Sequence, residues 1–320
     1  MAQNFWKWIK KIHWFEYLSL VFAVVVVFGP IVTLELNLPG KTDDYTFHLR
    51  WAQQIVSAPH KVPAEVVAHA GWQWLVWLAN AVLDLSWGTA ALAVTLGSVI
   101  LSVGVLFTLF RRQVSGLLAG GLAIGLNLVG PLLFIDPLNN LTYLVNGYIG
   151  PNLFHNPTLL LLKPLAMAQF ALVIDTLGEK RSGWAWVVVT ALVSAAAAFS
   201  KPSYAICLLP ALALLALIRL LKRHSVDWRR LVFGVLAPTL VFLIWQFVIT
   251  YGQETSSAII FAPLVVMKHY AAPGSLPAKL VLSLVFPLAV TLLCWKNAIR
   301  SRKIQLGWLG FAFSAALVYL

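Results

Sequence analysis

The chain is a succession of long apolar stretches separated by short polar segments. A helix that crosses a bilayer needs about 20 mostly apolar residues. Nine stretches reach or approach that length: 17–36, 88–110, 114–134, 158–176, 184–200, 203–220, 231–251, 280–295 and 306–320. The pattern predicts an all-α polytopic membrane protein with about nine transmembrane helices, which form a single transmembrane domain over residues 1–320.

The two ends of the chain carry different signals. A basic tail precedes the first apolar stretch, which is too long for the core of a signal peptide and lacks a small-residue cleavage site. We therefore expect a retained anchor. The last stretch runs to Leu320 without a polar flank. Either the final helix ends the protein, or this chain is a fragment of a longer one.

Residues 37–87 form the longest polar interval near the start of the chain. Within it, residues 42–57 have the spacing of an amphipathic helix. Residues 64–85 are apolar and rich in Trp, but they include Glu65, His69 and Asp84. This second segment either crosses the membrane or lies as a helix in the interface.

The distribution of charge decides between these two topologies. If residues 64–85 do not cross, the segments on the side of the N-terminus hold 16 of the 23 Lys and Arg but only four of the 11 acids. If they cross, every later loop changes side and only seven basic residues remain there. Because cytoplasmic loops are enriched in Lys and Arg, we expect residues 37–87 to form a long first outer loop with two interfacial helices.

Composition narrows the class of protein further. Sixty per cent of the residues are apolar, 11% are charged, and the mean hydropathy is +0.84. Soluble domains carry about 25% charged residues, so a soluble enzyme is excluded. The net charge of +12 could indicate nucleic-acid binding, but the whole surplus lies on the side of the N-terminus in the preferred topology. We interpret it as an orientation signal and expect no nucleic-acid partner.

The first outer loop contains the most distinctive polar cluster. Asp43 and Asp44 begin the helix predicted over 42–57, and His48 follows Asp44 by one helical turn. Tyr45, Leu49, Ala52, Ile55 and Val56 form its apolar face. Acids at the start of a helix also complement its dipole, and His48 can be a boundary residue, so an ordinary helix start explains the cluster equally well.

This arrangement resembles the GT-C superfamily of integral-membrane glycosyltransferases. Members have one spanning helix, a long outer loop with two surface helices and an acidic pair, and then many further spans. Asp43-Asp44 stands in the place of the pair, and the string from Asp44 to His48 resembles a variant in bacterial members. PNLFHNPTLLLLKP (151–164) and SKPSYAICLLPAL (200–212) are similar to segments of such proteins. Members usually have eleven or more spans, often followed by a soluble outer domain, so nine predicted spans leave open whether the chain is complete.

The resemblance implies transfer of a sugar from a polyprenyl-phosphate donor to a hydroxyl of a glycan, lipid or protein at the outer membrane face, with inversion. Asp44 is the expected general base, with Asp43 as the alternate. The expected location is the bacterial plasma (inner) membrane, multi-pass, with a cytoplasmic N-terminus. No cofactor is expected, although a divalent cation at the acidic motif stays open.

Departure of a lipid phosphate needs cations or polar groups near the acidic pair. The candidates for substrate binding lie on the expected outer side. They are His48, His155, Lys163, Lys201, Lys268 and His269. Ordinary roles compete at each: Lys201 can snorkel at a helix end, Asn156-Pro157 is a normal helix start beside His155, and Lys268-His269 can be exposed loop charges.

Two other functions fit a polytopic chain of this kind. A lipid-linked saccharide flippase or other secondary transporter would carry charges near the bilayer centre and inverted repeats, whereas the polar residues here concentrate at the outer face. A non-catalytic scaffold would not bring Asp44, His155 and Lys201 together. The histidines have no metalloprotease spacing, so we predict no zinc site.

Overall fold

A computed structural model describes residues 14–37, 44–128, 156–178, 183–252, 284, 287–298 and 300–319. The regular elements of these ranges are helices, and they contain no β-strand. In chain order they are α1 (Trp14–Asn37), α2 (Asp44–Ser57), α3 (Ala64–Val67), α4 (Gly71–Leu83), α5 (Trp87–Phe110), α6 (Gly116–Leu128), α7 (Pro157–Thr176), α8 (Trp184–Ser200), α9 (Pro202–Leu221), α10 (Ala237–Tyr251), α11 (Trp295–Ala298) and α12 (Arg302–Tyr319). A 3₁₀ turn covers Pro59–Lys61, and a π-helix, Arg230–Leu236, runs directly into α10.

Five helical segments of the described ranges are long and apolar enough to cross a bilayer. They are Trp14–Leu34, Trp87–Phe110, Pro157–Thr176, Pro202–Leu221 and Arg230–Tyr251. Gly116–Leu128 and Trp184–Ser200 are shorter apolar helices. The chain is therefore an all-α, multi-pass membrane protein, as its hydropathy pattern predicts. Of the predicted stretch 280–295, residues 284 and 287–295 are described, and they are mainly helical.

Large apolar side chains on the outside of the bundle support this assignment. Phe15 and Phe22 on α1 are largely exposed, as are Leu192 on α8 and Val241 on α10. Leu117 on α6 is 91% exposed. Lipid-facing helices present large apolar side chains on their outer surfaces in this way.

The segment between α1 and α5, which the sequence predicts as the first outer loop, contains two helical units in its described part, as predicted, but the second unit is divided. Residues 64–85 were expected as one helix; they form α3 and α4, separated by a turn at residues 68–70. The two helices pack against different partners: α3 contacts α10, whereas α4 packs against α2 and α5. With 13 residues, α4 spans about 20 Å and does not meet the length of a transmembrane helix.

Glycine allows the start of α4 to approach the end of α8. A Cβ atom at Gly71 would lie 3.2 Å from the Cα atom of Ser200 and 3.6 Å from a methyl group of Leu161. The next residue, Trp72, is fully buried, and its indole Nε1 donates to Thr95 Oγ1 on α5 at 3.2 Å. These contacts fix the first outer loop onto the ends of the spanning helices.

The core is divided among three apolar clusters, and α5 contributes to two of them. One joins α1, α5 and α6 around Phe28, Val103 and Phe107. A second, around Trp72, lies under the first outer loop. A third joins α7, α9, the π-helix and α12 around Leu212. Because α2, α4 and α7 each contact α5, residues from distant parts of the sequence meet where those helices begin.

The opposite end of the bundle is held by basic side chains. Arg111, just after α5, forms an ion pair of 3.0 Å with Glu16 in the first turn of α1. Arg230 is buried and donates from Nε to Thr190 Oγ1 at 2.8 Å. Its guanidinium also lies 3.7 Å from Asp175. Glu16, Arg111 and Arg230 therefore join helices at this end.

Candidate functional site

Asp44 lies where α2 begins, at the junction of the first outer loop with α7. As the first residue of its helix, it places a carboxylate at the positive end of the helix dipole. Its Oδ2 atom accepts a hydrogen bond of 2.7 Å from the Nδ2 atom of Asn156, which is 112 residues away in the sequence. The carboxylate is therefore held in place by another helix.

Asn156 can hold Asp44 because its own side chain is fixed as the N-cap of α7. Its Oδ1 atom accepts from the backbone N–H of Thr158 at 2.9 Å and from the Thr158 hydroxyl at 2.6 Å. Pro157 occupies the first helical position, where its missing N–H costs nothing. Since the cap uses the amide oxygen, the amide nitrogen points away from the helix and toward Asp44.

Lys201 completes a continuous line of polar contacts. It ends α8 and precedes α9, with extended backbone angles. Its Nζ atom donates to the Thr158 hydroxyl at 3.4 Å. Burial lowers the pKa of Lys201, and the nearby carboxylate of Asp44 opposes that shift. The carboxylate of Asp44 and the ammonium group of Lys201 are thus connected through the side chains of Asn156 and Thr158.

His48 lies on the buried face of α2, one turn after Asp44. It is only 6% exposed, and Gln73 Nε2 on α4 donates to its Nδ1 atom at 2.7 Å. Because an amide nitrogen only donates, the neutral ring carries its proton on Nε2. Trp51 packs edge-on to the ring, with 5.1 Å between centroids.

A second histidine enters from the turn between α3 and α4. Burial lowers the pKa of both His48 and His69 to about 4, and the positive charge of Lys201 contributes to each shift. Asp44 opposes the shift at His48, and Glu65 opposes it at His69. Both imidazoles are therefore neutral at pH 7 and are available as hydrogen-bonding groups beside Lys201.

We call this cluster the Asp44 site. It consists of Asp44, His48, His69, Asn156, Thr158 and Lys201. Among the residues proposed from the sequence, the structure brings Asp44, His48 and Lys201 together. Asp43, His155, Lys268 and His269 lie outside the described residues.

Lys163 lies within α7, nearly two turns beyond Asn156. Its Nζ atom is buried, and no described residue provides it with a hydrogen-bond partner. It has no contact with the polar line from Asp44 to Lys201 among the hydrogen bonds of the described chain. The ammonium group is costly at such a position, which makes Lys163 a functional candidate separate from the line itself.

Three members of the site were absent from the sequence prediction. Asn156 was expected only as a helix cap; the cap is present, but the contact with Asp44 was missed. Thr158 was not proposed, because nothing local distinguishes it from an ordinary helix residue; the same holds for Gln73, which lies outside the site and positions His48. His69 was named only as a polar residue of the apolar segment 64–85. The one sequence feature that could have indicated this contact is the Asn-Pro-Thr string at 156–158. When an Asn caps a helix through its side-chain oxygen, its amide nitrogen stays free to donate to another residue.

The donors present can do acid–base and anion chemistry. A fixed carboxylate, two neutral imidazoles and a lysine lie at one end of four helices, where an apolar bundle meets a polar loop. Within the described ranges no three His, Cys, Asp or Glu side chains are grouped as a metal ion would require.

Comparison of the chain with models of protein families, with curated proteins and with solved structures found no match.

Acid should destabilise the fold through His48. Its folded-state pKa of about 4 lies below the ordinary value of 6.5. The unfolded chain therefore binds the proton first, and stability that is full above pH 6.5 is lost as the pH falls toward 4. For this one group we expect about 2 kcal/mol less stability at pH 5 than at pH 8. Denaturant unfolding in detergent at a series of pH values measures the loss.

His48→Gln tests the origin of that loss, because a glutamine oxygen can accept from Gln73 and does not titrate. The variant should lose about 2 kcal/mol less than wild type over the same pH range. His60, exposed in the 3₁₀ turn, provides the control, and His60→Gln should retain the full acid sensitivity. An unchanged decline in His48→Gln would assign the acid sensitivity to other groups.

Proposed function

We propose that the chain is a membrane glycosyltransferase of the GT-C type. It would transfer a sugar from a polyprenyl-phosphate donor to an acceptor hydroxyl at the outer membrane face, with inversion. The observation that carries the proposal is the line from the Asp44 carboxylate through Asn156 and Thr158 to Lys201. It places a base and a cation near each other at one end of the spanning helices.

The chemistry assigns a different task to each end of this line. The acceptor hydroxyl must lose its proton as it attacks the anomeric carbon, and Asp44 is the group that takes it. The bond from that carbon to the phosphate oxygen then breaks, and negative charge develops on the departing polyprenyl phosphate. Lys201 provides a cation for that phosphate, and neutral His48 and His69 supply hydrogen bonds.

Apolar helices around the site suit a lipid-linked substrate. A polyprenyl chain needs an apolar surface beside the place where its phosphate binds, and α4, α7 and α8 meet at the Asp44 site. The phosphate can then remain at the interface while the chain stays in lipid. The acceptor is a glycan, lipid or protein that presents a hydroxyl on the same side.

The proposed topology has nine spans, a cytoplasmic N-terminus and a place in a bacterial plasma membrane. Its support is the excess of Lys and Arg on one side. Two observations are in keeping with it: the Asp44 site lies at the end of α1 opposite Glu16, and α4 is too short to span. The first outer loop and the turn at Lys201 then share the outer face.

Cysteine labelling tests this topology directly. Asp84→Cys should react with an impermeant thiol reagent from the outer side, and Gly183→Cys only from the cytoplasmic side, in a background lacking Cys207 and Cys294. Asp84 is exposed at the end of α4, and Gly183 precedes α8. Labelling of Asp84→Cys from the cytoplasm would overturn the topology and the outer location of the site.

The direct test of function is sugar transfer by the purified chain in detergent. A panel of radiolabelled polyprenyl-phosphate sugars is supplied with candidate acceptors, and transfer is scored as loss of label from the lipid and its appearance in product. Transfer that depends on the polyprenyl phosphate supports the proposal. Absence of cleavage with every donor and acceptor, together with movement of the intact lipid-linked sugar between leaflets in reconstituted vesicles, would favour transport.

The alternative proposal is a lipid-linked saccharide flippase or another secondary transporter. One observation favours it: Lys163 places an ammonium group inside a spanning helix without a hydrogen-bond partner among the described residues. Such intramembrane charges commonly mark a substrate pathway. Reconstituted vesicles distinguish the two proposals, because a transporter changes the leaflet of the lipid and an enzyme changes its covalent bonds.

A further inference from the structure

A second polar feature lies at the other end of the bundle, between α9 and α12. It is a cavity of about 570 Å³, which we call the basic pocket. Its polar lining includes four Lys and Arg side chains, together with neutral polar residues and a histidine: Arg219, Lys222, Arg300 and Arg302, with His224, Thr291 and Gln305. Among the described residues that line it there is no Asp or Glu. The pocket therefore presents a strong positive potential that its own walls do not neutralise.

The floor of the basic pocket is apolar. Leu215 and Ile218 on α9 line it together with Trp308 and Leu309 on α12. The indole Nε1 of Trp308 donates to Thr291 Oγ1 at 2.7 Å, which fixes the orientation of the ring in the cavity wall. Trp at this level is typical of the membrane interface. The ligand that matches these walls is amphiphilic and anionic.

The basic pocket is distinct from the Asp44 site. Helix α9 begins beside Lys201, and its last turns carry Arg219 into the pocket. Its 20 residues rise about 30 Å, which is the thickness of the hydrocarbon core. Since α9 is long and apolar enough to span, the two sites belong to opposite faces of the membrane.

The basic side chains of the pocket differ in whether they already bind other parts of the protein. Arg302 donates to the carbonyl oxygen of Leu177, and Arg219 donates to that of Ser225. Both therefore serve partly to hold the pocket in shape. Lys222 and Arg300 are exposed and have no ion pair within the described part of the chain. These two can turn toward a ligand without losing an existing salt bridge.

We propose that the basic pocket binds the phosphodiester headgroup of an anionic phospholipid from the leaflet opposite the Asp44 site. The phosphate lies among Lys222, Arg300 and the flanking basic groups, and the acyl chains follow the apolar floor between α9 and α12. Basic pockets between transmembrane helices at a cytoplasmic face commonly hold such headgroups. The proposal depends on the multi-pass fold and does not depend on sugar transfer.

The test is lipid binding to the whole chain in neutral detergent. Phosphatidylglycerol is titrated against phosphatidylcholine of the same acyl chains, with bound lipid counted by native mass spectrometry. We expect selective retention of phosphatidylglycerol. Near a membrane surface each basic residue contributes about a factor of five to anionic-lipid affinity, so Lys222→Gln with Arg300→Gln should weaken binding by roughly 25-fold.

A matched pair controls for net charge. Lys296 and Lys303 are exposed on the neighbouring α11 and α12 but do not line the cavity. Replacing both with Gln removes the same two charges and should change affinity much less. Equal losses in the two pairs, or equal retention of the two lipids, would overturn the proposal.

Inorganic phosphate separates a lipid site from a site for soluble anions. It is titrated into the wild-type protein that carries phosphatidylglycerol. Displacement only at high, screening concentrations supports the lipid assignment. Displacement in the low millimolar range would assign the basic pocket to a soluble anion and overturn the lipid proposal.

The elution profile in size exclusion should be the same for both double variants, because all four substituted side chains are exposed.

Discussion

Asp44→Asn should abolish most sugar transfer while leaving the fold and donor binding intact. The substitution keeps the size of the side chain, and an amide oxygen can still accept from Asn156 Nδ2 as the carboxylate does at 2.7 Å. What it removes is the ability to take the acceptor's proton. General-base catalysis contributes about 10²–10⁴-fold, so turnover should fall by that factor. Single-turnover transfer from a radiolabelled polyprenyl-phosphate sugar measures it.

Asp84→Asn is the matched control for this experiment. Asp84 belongs to the same outer loop and is exposed, with a left-handed backbone of φ 51° that asparagine also tolerates. It should transfer sugar at the wild-type rate. Full activity in Asp44→Asn and also in the double variant with Asp43→Asn would contradict the catalytic assignment. The transporter proposal would then take precedence.

Much of the fold could be predicted because bilayers impose a simple rule on sequence. Hydrocarbon tolerates only helices of sufficient length, so the five segments that meet that length coincide with predicted apolar stretches. The apolar face of α2 was also predictable, since Tyr45, Ala52 and Ile55 are buried as their spacing indicates. Val56 was placed on that face as well, but it is 50% exposed, because it lies at the edge of the stripe near the helix end.

The division of residues 64–85 could not be read from periodicity. An apolar run of this length predicts one helix, whereas α3 and α4 follow separate partners in the bundle. Burial of Trp72 and the close approach of Gly71 to Ser200 position α4, and both depend on residues more than 80 positions away or on another helix. Tertiary packing of this kind overrides a local pattern.

The site was only partly predictable for the same reason. Charged residues in an apolar chain are conspicuous, so Asp44 and Lys201 could be selected from the sequence alone. Their connection could not, because it passes through Asn156 and Thr158, whose local roles are complete without it. A helix cap explains an asparagine fully until a second helix is placed beside it. Neutral polar residues that bridge two charged residues are therefore visible only in the folded structure.

Lys201→Ala should show the opposite pattern to Asp44→Asn, with donor binding lost first. Removing the ammonium group leaves the departing phosphate without the cation that the proposed site offers it. Charge-assisted hydrogen bonds are about twice as strong as neutral ones, at roughly 1.5–3 kcal/mol, so the donor Kd should rise about tenfold to a hundredfold. Equilibrium binding of a polyprenyl phosphate that carries no sugar measures this without any chemical step.

Two further substitutions show whether the loss comes from charge at this position. Lys201→Arg keeps the cation on a side chain that still reaches Thr158, so donor binding should recover to within about tenfold of wild type. Lys61→Ala removes an exposed charge from the same outer loop and should leave the Kd unchanged. If Lys201→Ala bound the lipid phosphate as wild type does while Asp44→Asn did not, the assignment of donor binding to Lys201 would be wrong. The carboxylate would then serve substrate binding, and the base would have to be sought among the neutral histidines beside it.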